Sequence, residues 1–395
     1  MNNTYKKAFL IFIAFMFIGL LSLIMIVLMA FWYDPLHLYT VPSDKENAMY
    51  STDQRIQNAG YINTFDFDSV VIGNSHMENL SHRKTSEYIP GKWFNLSMSG
   101  SVNNERKLVL DKAFSEKKIK QVLLLLNGDA RNRPTDGFDI LYDKNPFNDV
   151  SIYFNGMYSK CFVKHFLNTV FKMDFNADCF GHKLNIDEHN SWIYSPDHNS
   201  RFGGIQQWGK YYTNGQLIYL YNEVGKLFKA PARKLKELSK AEKNEIQKDI
   251  RDNIIPLLEE HPDTIFYSYT HPCFKLAYSI ALRKDNDKSV EVYIEFLKEI
   301  VQVTSTHKNF RLFGFDNLPF TEDVKNYKDT SHFTRELNYQ LLDYIKNGKY
   351  TLDNSNIDGY INNFIKDVYA FELDTFKENW YRESLTSAIS NEAKE

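Results

Sequence analysis

From Ala8 to Tyr33 the chain carries no charged residue, and this one run constrains everything that follows it. A bilayer-spanning helix needs roughly 20 consecutive apolar residues. Lys6 and Lys7 precede the run and Asp34 follows it. Positive charge stays on the cytoplasmic side of a membrane. The reading is therefore a single-pass anchor over residues 8–33, with residues 1–7 cytoplasmic and the remainder extracytoplasmic. Phe31, Trp32 and Tyr33 stand where an outer aromatic belt belongs. The competing reading is a cleaved secretory signal. Its apolar stretch is typically about 7–15 residues and ends on small residues. This run is longer and ends on bulky aromatics.

Beyond the anchor, a chain of 395 residues with 43 % hydrophobic content has room for one large domain or two modest ones, with a substantial core. A net charge of -3 supplies no basic face, so no nucleic-acid partner is expected. Residues 34–63 read as a polar connector. An α/β domain is then expected over 64–350. Short apolar runs at 69–72, 93–96, 122–126, 265–269 and 310–315 have strand length, and their unbroken apolar character suits a parallel sheet covered on both faces. Helical patterns separate them at 103–117, 239–260 and 288–301. Ser239 and Glu242 stand at capping-box spacing, and Ile246, Ile250 and Ile254 share one stripe. A further helix through Leu337, Leu341 and Ile345 closes at Asn347-Gly348. Such alternation predicts a doubly wound, mainly parallel α/β sheet. Residues 134–230 break the rhythm. They are rich in Asn, Asp, His and Tyr and carry Trp192, Trp208, Gly156, Gly203 and Gly204. They read as an insertion, either a structural cap or a wall of the substrate site. Residues 351–395 read as a helical tail.

The cysteines are Cys161, Cys179 and Cys273. An extracytoplasmic site permits a Cys161–Cys179 disulfide, and the alternative is that all three are small buried hydrophobes. Metal-ligand spacings of the Cys-x-x-Cys or His-Glu-x-x-His type are lacking, so neither a metal nor another cofactor is expected.

Two segments carry chemistry. An apolar strand runs directly into Gly73-Asn74-Ser75, which presents a serine at the carboxyl edge of the sheet, where open α/β folds place their sites. Near the other end stand Asp329 and His332, three residues apart, on one side of a helical turn or tight loop. A serine hydroxyl needs a base, and the base needs an orienting acceptor. Ser75, His332 and Asp329 together meet that demand; either segment alone is equally a common turn or a surface Asp–His pair. His271, at the end of a late strand, is a substrate-contact candidate or a loop histidine beside Pro272. His76 adjoins Ser75 and is a weaker alternative base.

These blocks resemble the SGNH/GDSL hydrolase superfamily, which places its serine in an early Gly-Asp-Ser block and ends on Asp-x-x-His. The segment 93–100, a strand followed by Asn95-Leu96 and Gly100, resembles the family's second block. The resemblance implies a flavodoxin-like three-layer fold and an oxyanion hole built from the backbone N–H groups of Ser75 and Gly100. The family's third block, Gly-x-Asn, is altered here to Asn127-Gly128-Asp129. Asn127 is the candidate side-chain donor, while Asp129 would repel an oxyanion. Asn74 also replaces the usual Asp. The layout is similar to membrane-anchored members that modify envelope polymers, among them the D-alanyl transfer protein of teichoic-acid modification and SGNH-type glycan O-acyl transferases and esterases. The implied function is an extracytoplasmic serine esterase or acyl transferase acting on an acylated envelope glycan or polymer, with a membrane acyltransferase as a further partner. Two alternatives stand beside it: a non-catalytic binding or scaffold module, and a lipid-directed esterase.

Overall fold

The computed structural model describes residues 3–41, 49–51, 53–126, 128, 131–154, 156–175, 182–183, 202–204, 207, 225–227 and 230–371. The chain divides into two compact units, one of residues 1–65 and 135–184, the other of 66–134 and 185–395. Cys179, Trp192 and Trp208 lie outside the described residues, as does the side chain of Cys161, so the disulfide expectation falls there too.

The first unit begins with the apolar run, which is helical over Asn3–Tyr33. Its apolar stretch, Tyr5–Trp32, has 28 residues and none of its hydropathy window is buried. At 1.5 Å per residue it is about 42 Å long, longer than the ~30 Å hydrocarbon core of a bilayer. Asp34 is buried at the helix end and takes Leu38 N at 2.9 Å, Tyr39 N and Thr40 N at 2.8 Å, and Tyr153 Oη at 2.7 Å. The charge that ends the apolar run thus also folds the chain back at its end. Within the stretch read as a polar connector, Gln54–Thr64 is a helix capped by Asp53. Its buried Gln57 binds Ser51 N and Leu36 O, which satisfies polar groups that hydropathy assigns to solvent. From the insertion, Asp139–Tyr142 and Asp149–Phe154 form 3-10 turns and Gly156–Phe171 a helix.

The second unit is built on a six-stranded sheet. Its strands are β1 (Ser69–Ile72), β2 (Trp93–Asn95), β3 (Gln121–Leu126), β4 (Ile265–Thr270), β5 (Phe310–Phe313) and β6 (Thr351–Leu352). The order is β2-β1-β3-β4-β5-β6, parallel throughout except for β6, which runs against β5. Its helices are α1 (His82–Tyr88), α2 (Asn103–Glu116), α3 (Lys240–Asn253), α4 (Ile255–Glu260), α5 (Lys275–Ala281), α6 (Ser289–Thr304), α7 (Arg335–Lys346) and α8 (Ile357–Ala370).

Side chains alternate across a strand, so each strand feeds both layers. Val71, Leu123, Leu125, Tyr267 and Phe313 pack with Leu337, Leu341 and Ile345 of α7. The other face meets α2 and α6 through the Phe114–Phe266 ring pair and the Thr270–Tyr293 hydrogen bond. Burial on both faces explains the unbroken apolar strands. The capping box forms at Ser239 and Glu242, but the helix it starts breaks between α3 and α4. Pro256 lacks the N–H that would continue the ladder.

Candidate active site

The carboxyl ends of β1, β3 and β4 form one edge, and the strand order places β1 between β2 and β3, inside the sheet. The chain leaves β1 through Gly73. A Cβ there would lie 2.5 Å from Met77 Sδ and 2.8 Å from Leu125 Cβ, so only glycine lets the turn approach this closely. Met77 N returns to Asn74 O at 3.0 Å and closes the turn that carries Ser75.

Asp329 and His332 sit on a tight loop rather than a helical turn. An isolated antiparallel bridge between Tyr327 and Phe333 closes it. Lys328 N donates to His332 O at 3.0 Å inside the loop. Two contacts hold it to the segment after β4: Tyr327 Oη donates to Pro272 O at 3.0 Å, and Phe274 N to Thr330 O at 3.1 Å. Two more hold this region to the serine segment, from Asn79 Nδ2 to Phe333 O and from Asn338 Nδ2 to His76 O, both at 3.0 Å.

The result is one hydrogen-bonded line. Ser75 Oγ lies 2.7 Å from His332 Nε2, and His332 Nδ1 lies 2.7 Å from Asp329 Oδ2. The other carboxylate oxygen takes the backbone N–H groups of Ser331 and His332, each at 2.8 Å. Burial pushes the Asp329 carboxyl up, but the hydrogen bond and charge of His332 and the backbone donors outweigh it and hold the group at about 2. An ionised Asp329 requires the His332 proton on Nδ1. That leaves the Nε2 lone pair facing the Ser75 hydroxyl, the arrangement a serine nucleophile requires. The sequence-selected Ser75, His332 and Asp329 therefore meet, although 257 positions separate the first two.

Gly100 lies in the loop after β2, with a left-handed φ of +61°. Met98 N and Ser101 Oγ both bind Gly73 O at 2.9 Å, tying this loop to the start of the serine turn. Asn127 lies outside the described residues. His271 directly follows β4. Its ring stacks on His76 at 4.1 Å between centroids, and His76 stacks in turn on His332 at 4.4 Å and 10°. Three imidazoles thus form a row that ends on the triad histidine.

His76 is the residue that the motifs undervalue. Its backbone N–H and its Nδ1 both donate to Asn74 Oδ1, at 3.1 and 2.6 Å. This gives Asn74 a structural reason to stand where the resemblance expects Asp: an amide oxygen accepts without adding charge beside the serine. Burial is the main cause that drives the His76 pKa well below 6.5, with His271, His332, Lys328 and Arg106 adding cationic pressure. His76 is therefore a neutral plate against one face of His332. The only early hint was its place beside Ser75. Arg106 was equally invisible. It is 1 % exposed, and its guanidinium donates to Ser101 Oγ at 3.0 Å and to the carbonyls of Ser101 and Leu125. It thereby joins the Gly100 loop to β3. Among the described residues no group of three His, Cys, Asp or Glu side chains is placed to hold a metal ion.

Compared with known proteins, the chain matches no family model and no curated sequence.

Proposed function

We propose that this chain is a membrane-anchored serine esterase or acyl transferase of SGNH type, working outside the cytoplasm on an acylated envelope glycan or polymer. The observation that carries the reading is the Ser75–His332–Asp329 line, with both links at 2.7 Å. Ser75 Oγ attacks the acyl carbonyl as His332 Nε2 takes its proton. The tetrahedral oxyanion is received by backbone N–H groups, with Ser75 and Gly100 as the candidates the resemblance supplies. His332 returns the proton to the leaving alcohol, leaving an acyl-serine. Water or a glycan hydroxyl then repeats the steps in reverse, again using His332 as base. Asp329 keeps the imidazole in the required tautomer and offsets the charge on its protonated form. The helix Asn3–Tyr33 supports an anchored enzyme, and Lys6 and Lys7 support a cytoplasmic N-terminus.

The test is labelling of the full chain, held in amphipol, by a fluorophosphonate, together with turnover of p-nitrophenyl acetate. The reading requires labelling at Ser75 and loss of both signals in Ser75→Ala and His332→Ala. A folded wild-type chain that neither labels nor turns over ester at any pH removes the enzyme reading in favour of a scaffold.

A further inference from the structure

The helix Gly156–Phe171 of the first unit has two apolar faces, and only one of them is covered. Phe162, His165 and Phe166 are buried. Val163, Val170 and Phe171 are exposed, and Leu167 is half-buried between them. These four stand at i, i+4, i+7 and i+8, a single stripe on the side away from the buried three. Past the helix the chain turns back. The Asn168 side chain takes Phe175 N at 2.8 Å and donates to Phe175 O at 2.6 Å, and Met173 and Phe175 are exposed as well. Lys160, Lys164 and Lys172 stand exposed along the same stretch. A second exposed apolar point is Phe147, at 81 %.

A helix in a water-soluble domain turns an apolar stripe inward. An outward stripe among lysines is the pattern of a helix lying in a membrane interface, where apolar side chains enter roughly 5–10 Å and lysine stems reach back to the headgroups. The contacts of this unit tie both places to the end of the apolar N-terminal helix. The Tyr39 ring packs on Phe31, in the last turn of that helix, at 4.4 Å between centroids, and Tyr39 Oη donates to Pro146 O at 3.1 Å. Phe147 is the next residue, so it stands close to where the apolar run ends. Tyr153 Oη donates to Asp34 at 2.7 Å and accepts from Leu36 N at 3.1 Å. The rings of Tyr153 and Phe154 pair with Phe162 at 5.1 and 6.5 Å, which builds the helix Gly156–Phe171 onto the same turn. A bilayer that takes up Asn3–Tyr33 therefore has its surface at this turn.

We infer that Phe147 and the stripe Val163–Leu167–Val170–Phe171 enter the headgroup layer on the side where the N-terminal helix ends, so that the first unit rests on the lipid surface as well as hanging from its anchor. The inference rests on the anchor part of the reading above and is independent of the serine chemistry.

The experiment places Phe147→Trp and, separately, Phe171→Trp in the full chain, reconstituted in phosphatidylcholine vesicles whose acyl chains are brominated near the headgroup. Both side chains are exposed, so the variants should melt as wild type does; Val163→Trp replaces Phe171→Trp if that variant fails to fold. Emission gained over wild type should lie to the blue of a water-exposed tryptophan and be lost on bromination. Resistance to carbonate extraction reports the anchor separately. A chain that resists extraction but whose added tryptophans stay bright with brominated lipid overturns the inference, and leaves the stripe to a protein partner. A chain that carbonate extracts removes the anchor reading, and the inference falls with it.

Discussion

Replacing Asp329 by Asn tests the proton arrangement rather than the presence of the side chain. One oxygen of Asp329 takes two backbone N–H groups at 2.8 Å, and the other takes His332 Nδ1 at 2.7 Å. An amide has only one oxygen. Two backbone donors outvote one ring donor, so the Asn oxygen stays with Ser331 and His332 N and its NH₂ faces the ring. His332 must then accept at Nδ1 and carry its proton on Nε2, where it meets the Ser75 hydroxyl as a second donor. The shape survives and the base is lost. In other serine enzymes this wrong tautomer costs on the order of 10⁴ in kcat, or roughly 5 kcal/mol in the barrier. The assay is p-nitrophenyl ester turnover by purified Asp329→Asn, with fluorophosphonate labelling at matched pH. We expect turnover to fall at least a thousandfold while the melting temperature measured at pH 7 stays within a few degrees. A loss below tenfold would sink the argument, because it would mean that the 2.7 Å contact does not set the tautomer.

The acid stability of the protein should show two limbs. The His76 pKa is depressed in the fold, so the stability it contributes is present above about 6.5 and declines as pH falls below that value. His76→Phe keeps a stacked ring without a proton site, and urea midpoints of this variant should be flatter between pH 6.5 and 5 than those of wild type. Asp329, also depressed, contributes stability that is full above its ordinary value of 3.8 and lost towards about 2, worth about 2 kcal/mol; its removal in Asp329→Asn should lessen the slope in that range. Gly73→Ala forces a methyl to within 2.5 Å of Met77 Sδ and 2.8 Å of Leu125 Cβ. Met77 can yield but the β3 side chain cannot, so this variant should lose 1–3 kcal/mol, an order-of-magnitude figure for overpacking. It should also label more slowly at Ser75. Normal stability together with normal labelling would show that the turn has slack.

The strands were legible because burial on both faces leaves an unbroken apolar signature. Thus 69–72 and 122–126 stand out from composition alone, and the strands observed are Ser69–Ile72 and Gln121–Leu126. The edge strand Thr351–Leu352 is two residues long, and no periodicity marks it. The helix Gln54–Thr64 hid for the opposite reason: Gln54, Gln57 and Asn58 are buried, and Gln57 donates to Leu36 O, 21 positions away. Asp329 and His332 were legible as a pair, since a three-residue spacing is local. Ser75 was legible as a turn after a strand. The apolar run of the N-terminal helix, the glycine turn and the spacing of the Asp–His pair were all set by neighbours along the chain. The meeting of Ser75 with His332, the stacked row of His271, His76 and His332, and the buried Arg106 were decided only by tertiary structure. Strand order, side-chain burial and hydrogen-bond partners depend on residues hundreds of positions apart, and hydropathy or spacing records only what lies within a few turns of itself.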